Sequence, residues 1–173
     1  MFAPKYIENK LKFFPFIKEA VAFGDQKDFV AVFINIDLEA VGNYAERKNL
    51  PYSGYTDLAS RPEVYHLVKE CIENVNSDLS KESHLSGSQI KRYLILHKEL
   101  DADDGELTRT RKVRRQYIIE KYGDLVSALY SDTTKVEVEA KVTFEDGRTG
   151  KIRANVAIEQ AKTSLANHKE ATK

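Results

Sequence analysis

The side chains best suited to act on an anionic substrate lie in a single basic run. It reads Leu107-Thr108-Arg109-Thr110-Arg111-Lys112-Val113-Arg114-Arg115 and follows an acidic turn that ends at Gly105. Lysine and arginine bind phosphate and carboxylate groups through charge-assisted hydrogen bonds. From the residues alone, two interpretations stay open: a solvated basic start to a helix over Arg111 to Tyr122, and a phosphate- or nucleic-acid-binding patch. The second is the weaker, because the charge is local and few aromatic residues are interleaved with it.

Other residue types that support catalysis are scattered along the chain. The histidines, His66, His84, His97 and His168, show no metal-ligand spacing with each other or with Cys71. There is neither a glycine-rich phosphate loop nor the Gly-x-Ser-x-Gly elbow that presents a nucleophilic serine. We therefore expect no metal site and no complete active site within this chain.

Composition narrows the class of protein. The 173 residues suffice for one hydrophobic core with a short appendage. The 27 lysines and arginines balance 27 aspartates and glutamates, which argues against a dedicated nucleic-acid binder. No apolar stretch approaches the roughly 20 residues that span a bilayer, and charges from Lys5 to Lys12 argue against a signal peptide. The single cysteine, Cys71, cannot form an internal disulfide, so we expect a reducing, cytoplasmic location.

Hydrophobic periodicity predicts an α+β fold over residues 1–130, a compact small domain with a short mixed sheet packed by helices. The predicted elements are a helix from Pro4 to Pro15, strands at Ile17 to Phe23 and Phe29 to Ile36, a helix capped by Asp37 and running to about Lys48, a polar loop over 49–60, a helix from Pro62 and a strand from Ile90 to Leu96. Ser60 and Glu63 have capping-box spacing at the start of the long helix. Its apolar stripe is Val64, Leu67, Val68, Cys71, Ile72, Val75 and Leu79. Within the stripe, Cys71 is interpreted as a buried structural thiol.

The remaining chain changes character. Two segments with alternating apolar and polar residues flank Asp146-Gly147, which predicts a β-hairpin over residues 131–158. A polar tail, 159–173, follows it and is interpreted as a short helix or as disorder. The hairpin either shields an edge of the sheet as an appendage, which we favour, or forms an oligomer contact.

Several motifs in order give the chain a family resemblance. The segment Asp103 to Arg115 resembles an acidic-Gly turn followed by Leu-Thr-x-Thr-x-Lys-x-x-Arg and a helix. The segment Phe2 to Glu8 is similar to an aromatic-x-Pro-x-x-Ile-Glu opening, and Ala20 to Asp25 precedes an apolar strand as expected. Together they resemble the C-terminal domain of long-chain fatty-acyl-CoA synthetases, which belong to the AMP-forming adenylate-forming enzymes. The resemblance covers residues 1 to about 130.

The resemblance implies a function for the basic run. Lys112 matches the family's catalytic lysine, in an enzyme that converts a fatty acid, ATP and CoA to acyl-CoA, AMP and pyrophosphate. The full-length enzyme would use Mg²⁺ as well, and most of the ATP and acyl site would lie in a missing N-terminal adenylation domain. The fragment alone is then expected to be inactive and to hold no cofactor tightly, and no CoA-binding residue is identified. Peripheral membrane contact and homo-oligomerisation through the hairpin stay open; nucleic acid is not an expected partner.

Two alternatives remain beside this interpretation. The chain could be a non-catalytic binding or assembly module that retains the fold, or part of an acyl-AMP ligase that delivers to a carrier protein. The sequence also departs from the family pattern, since Arg111 stands where many relatives have glycine and Arg109 where many have proline.

A second lysine matches the generic form of the motif. Arg148 to Arg153 reads Arg-Thr-Gly-Lys-Ile-Arg and contains Lys151. It follows a hairpin turn, and strand alternation places Lys151 on a solvated face, opposite Ile152 and Ala154. We therefore assign the catalytic role to Lys112.

Overall fold

The computed structural model describes residues 3–25, 27–83, 85–103, 105–143 and 147–163. Within them the strands form one sheet in the order β1-β2-β3-β5-β4, with β2 and β3 parallel and the other neighbours antiparallel. The elements are α1 (Pro4–Lys12), β1 (Ile17–Phe23), β2 (Val30–Ile36), α2 (Leu38–Arg47), α3 (Tyr55–Ala59), α4 (Pro62–Ser80), a 3₁₀ turn (Ser86–Ser88), β3 (Ile90–Ile95), α5 (Arg115–Lys121), α6 (Gly123–Leu129), β4 (Lys135–Thr143) and β5 (Thr149–Gln160). This confirms the predicted α+β class with a mixed sheet.

The central strand β2 is buried along its whole length. Val32 and Ile34 contribute to a core with residues of α1, α2 and α4, while Ala31 and Phe33 contribute to a second core with residues of α5 and α6. Successive side chains of a strand point to opposite faces, so a strand covered on both faces requires an unbroken apolar run. The interpretation of this segment as a doubly covered strand is confirmed.

The helices follow the predicted apolar stripes. In α1, Ile7 and Leu11 are buried. The Asp37 side chain accepts a 3.0 Å hydrogen bond from the amide of Ala40 and caps α2. Every residue of the α4 stripe is buried, including Cys71, and burial raises the pKa of its thiol to about 11. The described helices include none that is both long and apolar enough to cross a membrane.

Two local predictions around residue 60 are wrong. The polar loop contains the short helix α3, because Leu58 and Ala59 bury their side chains in the core. The Ser60 hydroxyl donates a 2.7 Å hydrogen bond to the Asp57 carbonyl at the end of α3. The Ser60–Glu63 capping box therefore does not form, and α4 begins after Arg61 without a side-chain cap.

The predicted hairpin is present and extends the sheet. Strands β4 and β5 pair from Lys135 opposite Ala157 to Thr143 opposite Thr149, and the turn includes Gly147 at φ 87°. Only the last part of β5 pairs with β3, so the hairpin covers that edge of β3. Asp146 and residues 164–173 lie outside the described residues, so the prediction for most of the tail concerns a part of the chain that is not described.

Candidate functional site

Lys112 lies at the end of a tight exposed loop. Leu107 and Val113 face each other in an isolated antiparallel bridge at the base of this loop. Inside it the amide of Thr108 donates to the Lys112 carbonyl at 2.8 Å, and the Thr108 hydroxyl accepts from the Lys112 amide at 3.0 Å. The backbone of Lys112 is therefore fixed by hydrogen bonds while its side chain is exposed. We call residues 108–112 the lysine loop.

The helix predicted to begin at Arg111 begins instead at Arg115. Arg111 adopts a left-handed backbone conformation with φ 64°, which an α-helix cannot contain, and its amide donates to the Thr108 carbonyl at 2.9 Å. The position where the family pattern often has glycine is thus the one position of the loop that favours glycine. The glycine that many relatives have at this position was therefore the sequence signal for a turn here.

The left-handed conformation of Arg111 leads us to predict how its replacement by glycine changes stability. We expect Arg111→Gly to raise the free energy of unfolding by about 0.5 kcal/mol, because relief of the left-handed strain exceeds the entropy cost of glycine. Arg109→Gly is the matched control: φ of Arg109 is not positive, so glycine there should lower stability by about 0.5 kcal/mol. Urea unfolding of both variants measures the difference, and equal shifts of the same sign would contradict a strained Arg111.

A buried carboxylate supports the base of the lysine loop. Glu106 is fully buried and accepts hydrogen bonds from Lys98 Nζ at 2.7 Å, from Lys121 Nζ at 2.8 Å and from the Tyr122 hydroxyl. Burial by itself raises the pKa of Glu106, but the hydrogen bonds, first from Lys121 and then from Lys98 and Tyr122, outweigh it and lower the pKa below its ordinary value. The Glu106 carbonyl also accepts from the Arg114 amide at 3.0 Å, which joins both ends of the loop.

A polar network fixes the chain that leads from β3 to this carboxylate. The Asn35 side chain donates to the Lys98 carbonyl at 3.0 Å and accepts from the Leu100 amide at 2.7 Å. The Tyr55 hydroxyl accepts from Asn35 at 3.1 Å and from the Ile36 amide at 3.2 Å. Because Asn35 is buried, these bonds satisfy groups that would otherwise be costly to bury, and they hold residues 98–100 against the sheet.

Glu8 and Arg115 form a second support, at a position three residues beyond the end of the lysine loop. The Arg115 guanidinium donates to both carboxylate oxygens of Glu8, at 2.5 and 3.0 Å. Sequence reasoning included both residues in family motifs but gave neither a role, and it singled out neither Glu106 nor Asn35. No local signal pairs residues this far apart in the chain, since their contact depends on how α1 and α5 pack against β1.

The remaining candidates lie outside this cluster. Lys151 is 64% exposed on β5, with its ammonium 3.9 Å from Glu139. His66 is an exposed partner of Glu70, and His84 and His168 lie outside the described residues. Among the residues that the structure describes, no group of three His, Cys, Asp or Glu side chains could hold a metal ion.

His97 lines a cavity of about 520 Å³ between α5, α6 and β4. Its Nδ1 is buried, and no described residue donates to it or accepts from it. Burial, with a further contribution from Lys98, lowers the pKa of the imidazole to about 4, so His97 is neutral near pH 7. A neutral ring in this position adds no positive charge to the lysine loop.

Comparison with known proteins assigns the fold and motifs to a family. Residues 1–134 match the family described as AMP-binding enzyme C-terminal domain, and the chain belongs to this family. Over 130 residues it is 31% identical to the long-chain-fatty-acid–CoA ligase FadD15 of Mycobacterium tuberculosis. The aligned region covers 75% of this chain and 21% of that protein. Over 147 residues it is 24% identical to the long-chain-fatty-acid–CoA ligase ACSBG1 of Rattus norvegicus, with 75% and 20% covered. The chain thus spans about one fifth of the length of these curated relatives.

Solved structures show the same fold. The adenylation and carrier didomain of a carboxylic acid reductase from Segniliparus rugosus, in complex with AMP, superposes with a TM-score of 0.55 at 16% identity. The match covers 74% of this chain and 16% of that one. An adenylation domain of a carboxylate reductase from Mycobacterium chelonae gives a TM-score of 0.55 at 17% identity, with 76% and 18% covered. These structures show the shared fold, whereas the family match over residues 1–134 and the ligase relatives confirm the resemblance to the C-terminal domains of fatty-acyl-CoA synthetases.

Proposed function

We propose that this chain is the mobile C-terminal domain of a long-chain fatty-acid–CoA ligase, and that Lys112 is its catalytic residue in acyl-adenylate formation. The observation that carries the proposal is the lysine loop itself, which presents an exposed lysine on a hydrogen-bonded backbone within the segment that matches the family. The names of the ligase relatives support the substrate class, a fatty acid with ATP and CoA.

Acyl-adenylate formation is favoured by a cation between the two anions that react. Attack of a fatty-acid carboxylate on the α-phosphate of ATP brings negative groups together, and an ammonium between them lowers the barrier. At about 4 Å and an effective dielectric near 20, such a contact contributes roughly 4 kcal/mol. If the contact exists mainly in the transition state, it accelerates the step about a thousandfold. Exposed Arg109 and Arg111 beside Lys112 would attract the phosphates of the nucleotide.

The rest of the site belongs to a preceding adenylation domain in this proposal. The described residues offer no group of three His, Cys, Asp or Glu side chains for a metal ion, and the sequence contains no glycine-rich phosphate loop. ATP, Mg²⁺ and the acyl chain would therefore be bound mainly by the preceding domain, in a cytoplasmic enzyme. Rotation of this small domain after the first half-reaction would withdraw Lys112 and bring another face to CoA, while water stays excluded from the adenylate.

The isolated chain provides a first test. We expect the 173-residue polypeptide to fold, because its apolar stripes are paired in two cores, and to be catalytically silent. Circular dichroism would report the fold, and pyrophosphate release with a fatty acid, ATP and Mg²⁺ would report activity. Pyrophosphate or acyl-CoA formed above a no-protein control would contradict the assignment of the remaining site to another domain. The polypeptide that includes the preceding domain should form acyl-CoA under the same conditions, and its failure to do so would overturn the proposed function.

A further inference from the structure

We infer that Glu8 and Arg115 are positioning residues that hold the lysine loop in a fixed position relative to α1 during acyl-adenylate formation. The inference rests on the proposed function of Lys112 and assigns a role to two residues to which that function gives none. Arg115 is the first residue of α5 and stands three positions after Lys112. Glu8 lies in α1, the first helix of the chain.

The pair is bidentate and is also bonded to a strand. Arg115 donates to Glu8 Oε2 at 2.5 Å and to Oε1 at 3.0 Å, and the fork geometry fixes both side chains. The Ala22 amide donates to Glu8 Oε2 at 2.7 Å, and the Ala22 carbonyl accepts from Arg115 at 2.7 Å. Four hydrogen bonds thus join α1, β1 and the end of the basic run; we call this arrangement the Glu8–Arg115 clamp.

The burial of the clamp separates it from ordinary surface ion pairs. The Glu8 side chain is only 10% exposed and that of Arg115 29% exposed, so solvent screens the pair little. A surface pair such as Lys151 with Glu139, at 64% and 54% exposed and 3.9 Å apart, offers no comparable restraint. The clamp is therefore suited to fix the direction in which the chain leaves the lysine loop.

The position of α1 gives the clamp a mechanical consequence. In the proposed enzyme the preceding domain joins this chain ahead of α1, so rotation of the small domain is transmitted to the lysine loop through α1 and β1. The clamp bonds both elements to Arg115, and the loop then moves with them as one body. Loss of the clamp would allow the Lys112 ammonium to shift from its position. A misplacement of about 1 Å can lower the rate by up to about a hundredfold.

The test uses the full-length ligase with Glu8→Gln, Arg115→Lys and the double variant. Glu8→Gln replaces one oxygen with an amide that donates toward the guanidinium, and Arg115→Lys keeps the charge but removes the fork. Arg61→Lys is the control, because Arg61 pairs with Asp57 of α3 at 3.1 Å and its side chain is 34% exposed, close to the 29% of Arg115, but the pair lies outside the clamp. Amide hydrogen exchange over residues 107–114, adenylate formation and thioester formation from supplied acyl-adenylate are measured for each variant.

We expect Glu8→Gln to raise exchange in residues 107–114 and to lower adenylate formation about tenfold, with thioester formation changed less than about twofold. Arg115→Lys should give a smaller loss of the same kind, the double variant should lose no more than Glu8→Gln alone, and Arg61→Lys should change neither half-reaction.

Unchanged exchange in residues 107–114, or faster exchange with normal adenylate formation, would overturn the positioning role. Equal losses in both half-reactions would also overturn it, because they indicate general destabilisation. If Lys112→Ala leaves adenylate formation intact, the proposed function fails, whatever the exchange data show for the clamp.

Discussion

Replacing Lys112 with alanine in the proposed full-length ligase is expected to slow acyl-adenylate formation about a thousandfold. The estimate follows from loss of the single ammonium that the lysine loop would place between the carboxylate and the α-phosphate. Thioester formation from supplied acyl-adenylate should survive within about twofold, since in the proposed mechanism rotation of the small domain withdraws Lys112 before that step. Rapid-quench measurement of adenylate, beside a separate assay of the second half-reaction, gives both rates. Equal losses in the two steps would instead indicate misfolding or a different role for Lys112.

Lys151→Ala is the matched control for this experiment. Lys151 also occurs in a Thr-Gly-Lys-x-x-Arg pattern, but its side chain is largely exposed on β5, and its ammonium lies 3.9 Å from the Glu139 carboxylate on β4. Exposed charges of this kind contribute little, so adenylate formation should stay within about twofold, a change in activation free energy of about 0.4 kcal/mol. A crippled Lys151→Ala enzyme beside an active Lys112→Ala enzyme would assign catalysis to the hairpin.

The second large effect concerns stability. We expect Glu106→Gln to lower the free energy of unfolding of this chain by about 3 kcal/mol, because the variant loses charge-assisted hydrogen bonds from two lysines in a fully buried site. Glu139→Gln is the control, since Glu139 is 54% exposed and its nearest lysine nitrogen is 3.9 Å away. That change should cost less than about 0.5 kcal/mol in the same urea unfolding measurement. Equal effects of the two substitutions would contradict the role of Glu106 as a buried anchor.

The pH dependence of the Glu106 contribution has a definite sign. The pKa of Glu106 in the folded chain lies below its ordinary value of 4.5, so the unfolded state binds the proton more readily. The stabilisation is therefore complete above about pH 4.5 and is lost as the pH falls through the lower, folded-state pKa. The stability difference between wild type and Glu106→Gln should narrow over that acidic range. A difference that stays constant from pH 7 to well below pH 4 would show that charge is not its origin.

The sequence alone determined much of the framework. An unbroken apolar run is stable as a strand only when both faces are covered, so β2 and its burial could be predicted. The stripe through Val64, Cys71 and Leu79 repeats at the helical period, and alternation around Gly147 favours a hairpin. These features depend on side chains a few residues apart, which a linear pattern records. Lys112 was selected in the same way, from a motif whose family membership is confirmed and whose catalytic role stays a proposal.

The tertiary structure alone decided how the lysine loop is built and held. Backbone pairing of Thr108 with Lys112 and the left-handed Arg111 moved the start of the helix to Arg115, although the basic run has good helix propensity. Long-range contacts then fixed the surroundings: Glu8 with Arg115, and Arg92 of β3 with the carbonyls of Ala128 and Leu129 at the end of α6. A buried charge requires a partner wherever the fold brings one near, and that partner has no fixed spacing in the sequence. The residues suited to chemistry could therefore be recognised from the sequence, whereas those that position them became apparent only in the tertiary structure.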